Sequence, residues 1–279
     1  MPVAQQPGQV SGSVAPTSAV RPIADLPRQA LIIAARTWKH SWRQPGAIGF
    51  ALAQPVVFYL VLLFVFGGAI QAGGDTYRDF AVPGVLVATL VFDANLSAIG
   101  FHADLSSGAI DRLRALPIHR TAPILGHVLF DLSRAMIVNV LMIAVCCATG
   151  FRFRGGLLST LLAVMLPWFF AISLTLAGTT LALILPSLQA VRAAVFTGSL
   201  SLAAMSSAYA PTQTMPDNVR AIAGNNPVTI IADAVRHLSS GAEHPPAGGA
   251  GAVRSALLVS GGLALIFSVT MWRLGGRRK

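Results

Sequence analysis

Six long apolar stretches dominate this chain and leave little choice of fold. They occupy residues 46–71, 80–101, 123–150, 157–185, 193–210 and 255–272. At about 1.5 Å per residue, roughly 20 apolar residues cross the hydrocarbon core of a bilayer as a helix. Lipid offers no hydrogen bonds to the backbone, so runs of this kind become helices. The expected fold class is therefore an all-α integral membrane protein with six transmembrane helices, the fifth and sixth being the shortest. Pro55 and Pro167 lie inside the first and fourth runs, where they are expected to bend rather than end the helix.

Charge supports this reading. The chain is 54% hydrophobic and 11% charged, and its single glutamate is Glu243; ordinary soluble domains carry about 25% charged residues. The formal net charge of +10 does not point to nucleic acid, because the basic residues stand at the ends of apolar runs and form no groove-reading motif. Those ends also set orientation. With the N-terminus in the cytoplasm, 14 Lys and Arg fall on the inner side and 6 on the outer. The expected placement is the plasma (inner) membrane, multi-pass, both termini cytoplasmic. The sequence 150–156, GFRFRGG, sets two arginines against this trend. Cys146 and Cys147, adjacent within an apolar run, read as small buried hydrophobes without metal or redox spacing.

Three segments flank or interrupt the spans. Residues 1–20, rich in Gln, Ser, Pro, Gly and Ala, read as a disordered cytoplasmic tail. Residues 21–45 form an amphipathic helix. Leu31, Ala35, Trp38 and Trp42 fall on one face, with Arg36, Lys39, His40 and Arg43 on the other, a pattern for the membrane–water interface. Residues 46–279 are then the six-span domain. Within its outer segment, 211–253, an amphipathic helix starts at Asn226-Pro227 and ends at Gly241. It aligns Val228, Ile231, Ala234, Val235 and Leu238, as expected of a helix dipping into the outer leaflet.

The passage SSGAIDRLRALPIHR, residues 106–120, is compact and charged between the second and third spans. Leu105, Ala109, Leu113 and Leu116 recur as one apolar stripe, Asp104, Asp111, Arg112 and Arg114 take the remaining surface, and Pro117 stops the helix. A short helix lying along the membrane and gripping a cytoplasmic partner fits this pattern; a solvated loop anchored by its arginines is the plainer alternative.

Read in order, YRDFAVPGVLV, GAIDRLRALPIHRTAPILG, GFRFRGG and NPVT…AVRHLSSG resemble permease subunits of ABC-2 type exporters, particularly the daunorubicin-resistance type of actinobacteria. The resemblance runs from about Arg28 to the C-terminus. It implies a coupling helix over residues 103–116, seated on an ATP-binding subunit and involving Asp104, Gly108, Ile110, Asp111, Arg112, Leu113, Arg114, Leu116 and Pro117. It also implies an elbow helix carrying Trp38, Lys39, Trp42 and Arg43. Two permeases, identical or sibling, would pair with two ATP-binding subunits around a path for a hydrophobic or amphipathic compound.

The chain is not expected to hydrolyse ATP. A phosphate-cradling loop needs a glycine-rich turn followed by lysine, and the lysines, Lys39 and Lys279, follow Trp38 and Arg278. ATP and Mg would be bound by the partner, with no cofactor in this chain. The competing class is a polytopic membrane enzyme acting on lipid, for which His102, His119 and His127 near Asp104 and Asp111 are candidates. Their spacing matches no metal signature, and they read as surface residues of a basic interface.

A charge at the bilayer centre costs about 2.5–3.5 kcal/mol on insertion scales. Asp93 therefore either faces a cavity between paired permeases or meets a basic residue of the third span. Asp131 and Arg134 read as a helix-surface ion pair, and Asn139 as an interhelical hydrogen-bonding residue. Phe92, Asp93, Asn95 and Asn139 are the candidate substrate-path residues, with Phe101, Trp168 and Phe169 as further aromatic candidates.

Overall fold

The computed structural model describes residues 25–41, 45–66, 77–115, 118–119, 121–240 and 249–277. The tail expected at 1–20 lies outside the described residues, as do Trp42, Arg43, Leu116, Pro117 and Gly241.

Among the described residues the regular structure is helical throughout: α1 Leu26–Ser41, α2 Pro45–Phe66, α3 Tyr77–Ser106, α4 Ala109–Arg114, α5 Ala122–Ala148, α6 Leu157–Ile184, α7 Leu188–Ala204, α8 Asp217–Gly224, α9 Pro227–Ser240 and α10 Gly249–Arg277. Four are long and apolar enough to cross a membrane: α3, α5, α6 and the Gly251–Met271 part of α10. The other two apolar helices are shorter over the described residues, Ala53–Val65 within α2 and the 17-residue α7. At 1.5 Å per residue α7 is about 26 Å long, short of a hydrocarbon core of about 30 Å. Helix continues through Pro55 in α2 and Pro167 in α6.

The spans extend somewhat beyond their apolar runs or stop short of them. The second begins at Tyr77 and ends at Ser106, because helix geometry carries past the lipid boundary wherever backbone hydrogen bonds can continue. The fifth ends at Ala204. Beyond it the chain folds inward, burying Ser206, Ser207 and Ala208. Gly84 of α3 makes room for this turn: a Cβ there would stand 2.6 Å from the Cα of Ala208.

α3 is central, buried along Ala81–Val91. One core joins it to α6, α9 and α10 through Val87, Val91, Leu166, Phe170, Val228, Ile231, Val235 and Ala256. A second joins it to α2 and α5 through Tyr59, Val85, Leu86, Val138 and Met142.

α9 corrects the sequence reading. Its stripe of Val228, Ile231, Ala234 and Val235 is fully buried against protein, in the core with α3, α6 and α10, so that protein and not lipid covers it. The reason is polar. Arg236 donates to the carbonyl oxygens of Phe80 (3.0 Å) and Ser207 (2.6 Å) and to Ser207 Oγ (2.9 Å). Its guanidinium also lies 4.0 Å from the centroid of the Phe80 ring. A guanidinium satisfied in this way can be buried, and it carries its helix inward.

α1 turns a different set of residues toward the protein. Ala30 and Ala34 are its buried apolar residues, while Leu31 and Ala35 of the expected stripe are exposed. The helix meets α5 through its small residues. A Cβ on Gly126 would come within 2.6 Å of Ile33 Cβ and 3.1 Å of the Ala30 carbonyl, so the glycine sets the closeness of approach. Leu31, 60% exposed, and Ile32, 61%, are left for lipid, and Arg36, Lys39 and His40 for the aqueous side.

Candidate functional site

The region after α3 breaks where the sequence reading expected one continuous helix. Gly108 has φ +68°, a left-handed conformation that glycine adopts without steric cost. Asp104 and Leu105 therefore belong to the end of α3, and α4 is the separate six-residue element Ala109–Arg114. This corrects the single coupling helix over residues 103–116.

Ile110 fastens α4. It is 4% exposed and packs with Phe101, Ile124, Ala182 and Leu183, with Leu105 and Met271 alongside. The helix thus sits on the ends of α3, α5 and α6, with α10 touching the same core. Leu113 is partly buried, whereas Asp111 and Arg112 are exposed. The Arg112 guanidinium folds back to donate to the carbonyl oxygens of Ser107 (3.0 Å) and Gly108 (3.4 Å). Arg114 is the last residue of α4.

The following segment is tied to α1. Gln29 Oε1 accepts from the His119 backbone N–H at 2.9 Å. Farther along, Trp38 Nε1 donates to Ser133 Oγ at 2.7 Å, and the Trp38 ring packs edge-on to Phe130 with centroids 5.2 Å apart. Lys39 is exposed.

Directly behind this surface, a chain of polar groups joins α3 to α5. From α5 come His127, Asp131 and Arg134, spaced four and three residues apart, which is one helix face. From α3 come Asp93, Ser97 and Asp104, spaced four and seven. Arg134 reaches Asp93 Oδ1 at 3.4 Å and Asp131 Oδ1 at 3.2 Å, and donates to the Asp93 carbonyl at 3.3 Å. His127 Nε2 is 3.0 Å from Asp131 Oδ2 and its Nδ1 is 3.8 Å from Asp104 Oδ2. Ser97 Oγ donates to Asp131 Oδ2. Asp131 is 2% exposed.

Asp93 has a basic partner on the third span, Arg134, one of the two alternatives that the sequence left open. These contacts also correct two expectations. Asp131 is a buried hub in place of a surface partner, and His127 and His102 are buried, His102 Nδ1 lying 2.9 Å from the carbonyl of Ala182. His119 is partly buried beside Thr121 Oγ1, 2.8 Å away. The signal for His127 was available in the His-x-x-x-Asp-x-x-Arg spacing, but only a partner face on α3 gives it meaning.

Asn139 donates to the carbonyl of Val164 at 3.0 Å, the interhelical hydrogen bond expected of it. Asn95 Oδ1 accepts from Ser199 Oγ of α7 at 2.6 Å. Phe92 is partly buried. Trp168 Nε1 donates to the Leu132 carbonyl at 2.9 Å, linking α6 to α5. Asn139, Asn95 and Trp168 thus bind helix to helix. Among the described residues no group of three His, Cys, Asp or Glu is disposed to hold a metal ion.

Comparison with known proteins identifies the family. The family model described as "ABC-2 type transporter" matches residues 28–239. The chain is 27% identical over 278 residues to the daunorubicin resistance ABC transporter permease protein DrrB1 of Streptomyces coeruleorubidus, covering 96% of each. It is 24% identical over 192 residues to the probable doxorubicin resistance ABC transporter permease protein DrrC of Mycobacterium tuberculosis, covering 68% of this chain and 69% of that one. With the putative transport permease ycf38 of Cyanophora paradoxa it shares 26% over 224 residues, 76% of this chain and 74% of the other. The match spans α1 to α9, including the α3–α4–α5 unit: the chain belongs to the ABC-2 type transporter family and is a multi-pass membrane permease.

Proposed function

We propose that this chain is the transmembrane subunit of an ATP-driven exporter, with α4 as the helix that a separate ATP-binding subunit grips. The observation that carries this reading is the build of α4. Ile110 anchors it on the ends of three spans, while Asp111 and Arg112 face outward. A rigid foundation with an exposed charged face is what transmits a push from a docked partner into the membrane domain.

In this reading α2 and α7 complete six crossings, both termini are cytoplasmic, and the membrane is the plasma membrane. Two ATP-binding subunits, carrying ATP and Mg, serve two permeases, the second being an identical or sibling chain. Their closure moves α4, and the pair alternates between inward-open and outward-open states. The expelled compound is hydrophobic or amphipathic, and its path runs by Phe92, Asp93, Asn95 and Asn139. The relatives' names refer to resistance to daunorubicin and doxorubicin, so a drug of that kind is the first compound to assay.

The test is reconstitution of the chain with its ATP-binding partner in proteoliposomes. Transport should require both chains and ATP, and Asp111→Ala with Arg112→Ala should abolish co-purification and transport together. Assembly and transport unchanged in that variant would remove α4 from the coupling role. Turnover of a lipid by the purified chain alone would favour an enzyme instead.

A further inference from the structure

Among the described residues, every group facing the two ring nitrogens of His127 is an acceptor. Nε2 stands 3.0 Å from Asp131 Oδ2 and 3.3 Å from the Ser97 carbonyl oxygen. Nδ1 stands 3.8 Å from Asp104 Oδ2, an ion-pair separation. A neutral imidazole carries one N–H and one lone pair. Either tautomer therefore aims a lone pair at a carboxylate, whereas the imidazolium presents a proton to both. The ring lies beside Phe101, with centroids 5.0 Å apart and the planes tilted by 56°.

Charge counting points the same way. Asp93, Asp104 and Asp131 supply three carboxylates against the one guanidinium of Arg134. From α1, Arg36 and His40 stand near enough to Asp104 to act on its charge. From α3, His102 turns its Nδ1 toward α6. With a neutral His127, the buried pair of Asp93 and Asp131 would exceed its cation by one charge, at a depth where an uncompensated charge is costly.

We propose that His127 is a proton-binding site. It holds an imidazolium that clamps the cytoplasmic end of α3 to α5, and release of that proton into alkaline cytoplasm unlatches the segment bearing α4. Asp104, with its side chain 51% exposed, gives the proton its way to water. α3 ends two residues beyond Asp104 and α4 begins after Gly108, so loosening there changes the footing of the helix that Ile110 seats. The site is a property of the chain itself and stands whether or not α4 docks an ATPase.

The experiment uses the full chain, labelled with 15N-histidine, in lipid nanodiscs. His127 is assigned by its loss in His127→Gln or, should that variant not fold, by its shift in Asp131→Asn. At pH 7 both ring nitrogens of His127 should resonate as imidazolium, and Asp131→Asn should return the ring to a neutral tautomer. A bound proton stabilises the folded state where it is held, and that stabilisation is lost as pH rises through its release. The thermal midpoint of the wild type should accordingly fall as the pH is raised above 7, and that of His127→Gln should fall less. A neutral His127 at pH 7, or equal pH slopes for the two proteins, would overturn the proposal.

Discussion

Replacing Arg134 with methionine keeps most of the side-chain volume and removes the cation between two buried carboxylates. Asp93 and Asp131 have side chains 8% and 3% exposed, so solvent screens little of what is left. Asp131 retains His127 and Ser97, whereas Asp93 loses its ion-pair partner. Breaking a buried pair from one side costs about 3–5 kcal/mol. An independent bound agrees: an unpaired Asp can shed its charge by taking a proton, which at pH 7 costs about 4 kcal/mol at 1.36 kcal/mol per pH unit from an ordinary value of about 3.9. Ordinary interhelical hydrogen bonds in membranes average only about 0.6 kcal/mol, so the two explanations are well separated.

The assay is reversible unfolding of the purified chain in mixed micelles, followed by circular dichroism and run as a double-mutant cycle with Asp93→Asn. Arg134→Met should lose about 3–5 kcal/mol. Asp93→Asn in the same chain should restore most of it, because the stranded charge has gone. A loss below about 1 kcal/mol, within the range of a neutral hydrogen bond, or a double variant no more stable than Arg134→Met, would refute the buried-charge argument.

Other sites give shorter tests. Gly126→Leu should lower stability by about 1–3 kcal/mol by forcing α1 off α5, while Gly198→Leu, with nothing within 4 Å of its added Cβ, should stay within about 0.5 kcal/mol; the same unfolding assay compares them. Arg236→Met should cost about 1–3 kcal/mol for each buried acceptor it orphans, chiefly the Phe80 and Ser207 carbonyls, and limited proteolysis should then cut near Ser207. Ile110→Ala should cost about 2–5 kcal/mol if its pocket stays rigid and weaken ATPase capture. Asp111→Ala, at an exposed position, should weaken capture while costing no more than the roughly 0–1 kcal/mol of a surface charge interaction.

The features legible without a fold are local and one-dimensional. Length, hydropathy and the spacing of apolar residues set the spans α3, α5, α6 and α10, because each must satisfy its own backbone in lipid. The same reasoning located the boundaries of α9 and the charged α4 region, and the resemblance in RLRALPI identified the family before any fold was seen. Tertiary structure decided everything that needed a second surface. The periodicity of α9 marked an apolar stripe but could not say whether lipid or protein would cover it; the bonds of Arg236 to Phe80 and Ser207 placed it inside. Likewise the stripe of Leu31 and Ala35 on α1 was legible, whereas the packing of Ala30 and Ala34 on α5 was not, because it depends on the close approach that Gly126 allows. His127 and Asp131 read as interface residues because their partners lie some thirty positions earlier on α3. A charged side chain is cheap or costly according to what stands opposite it, and only the packing of α3 on α5 supplies that.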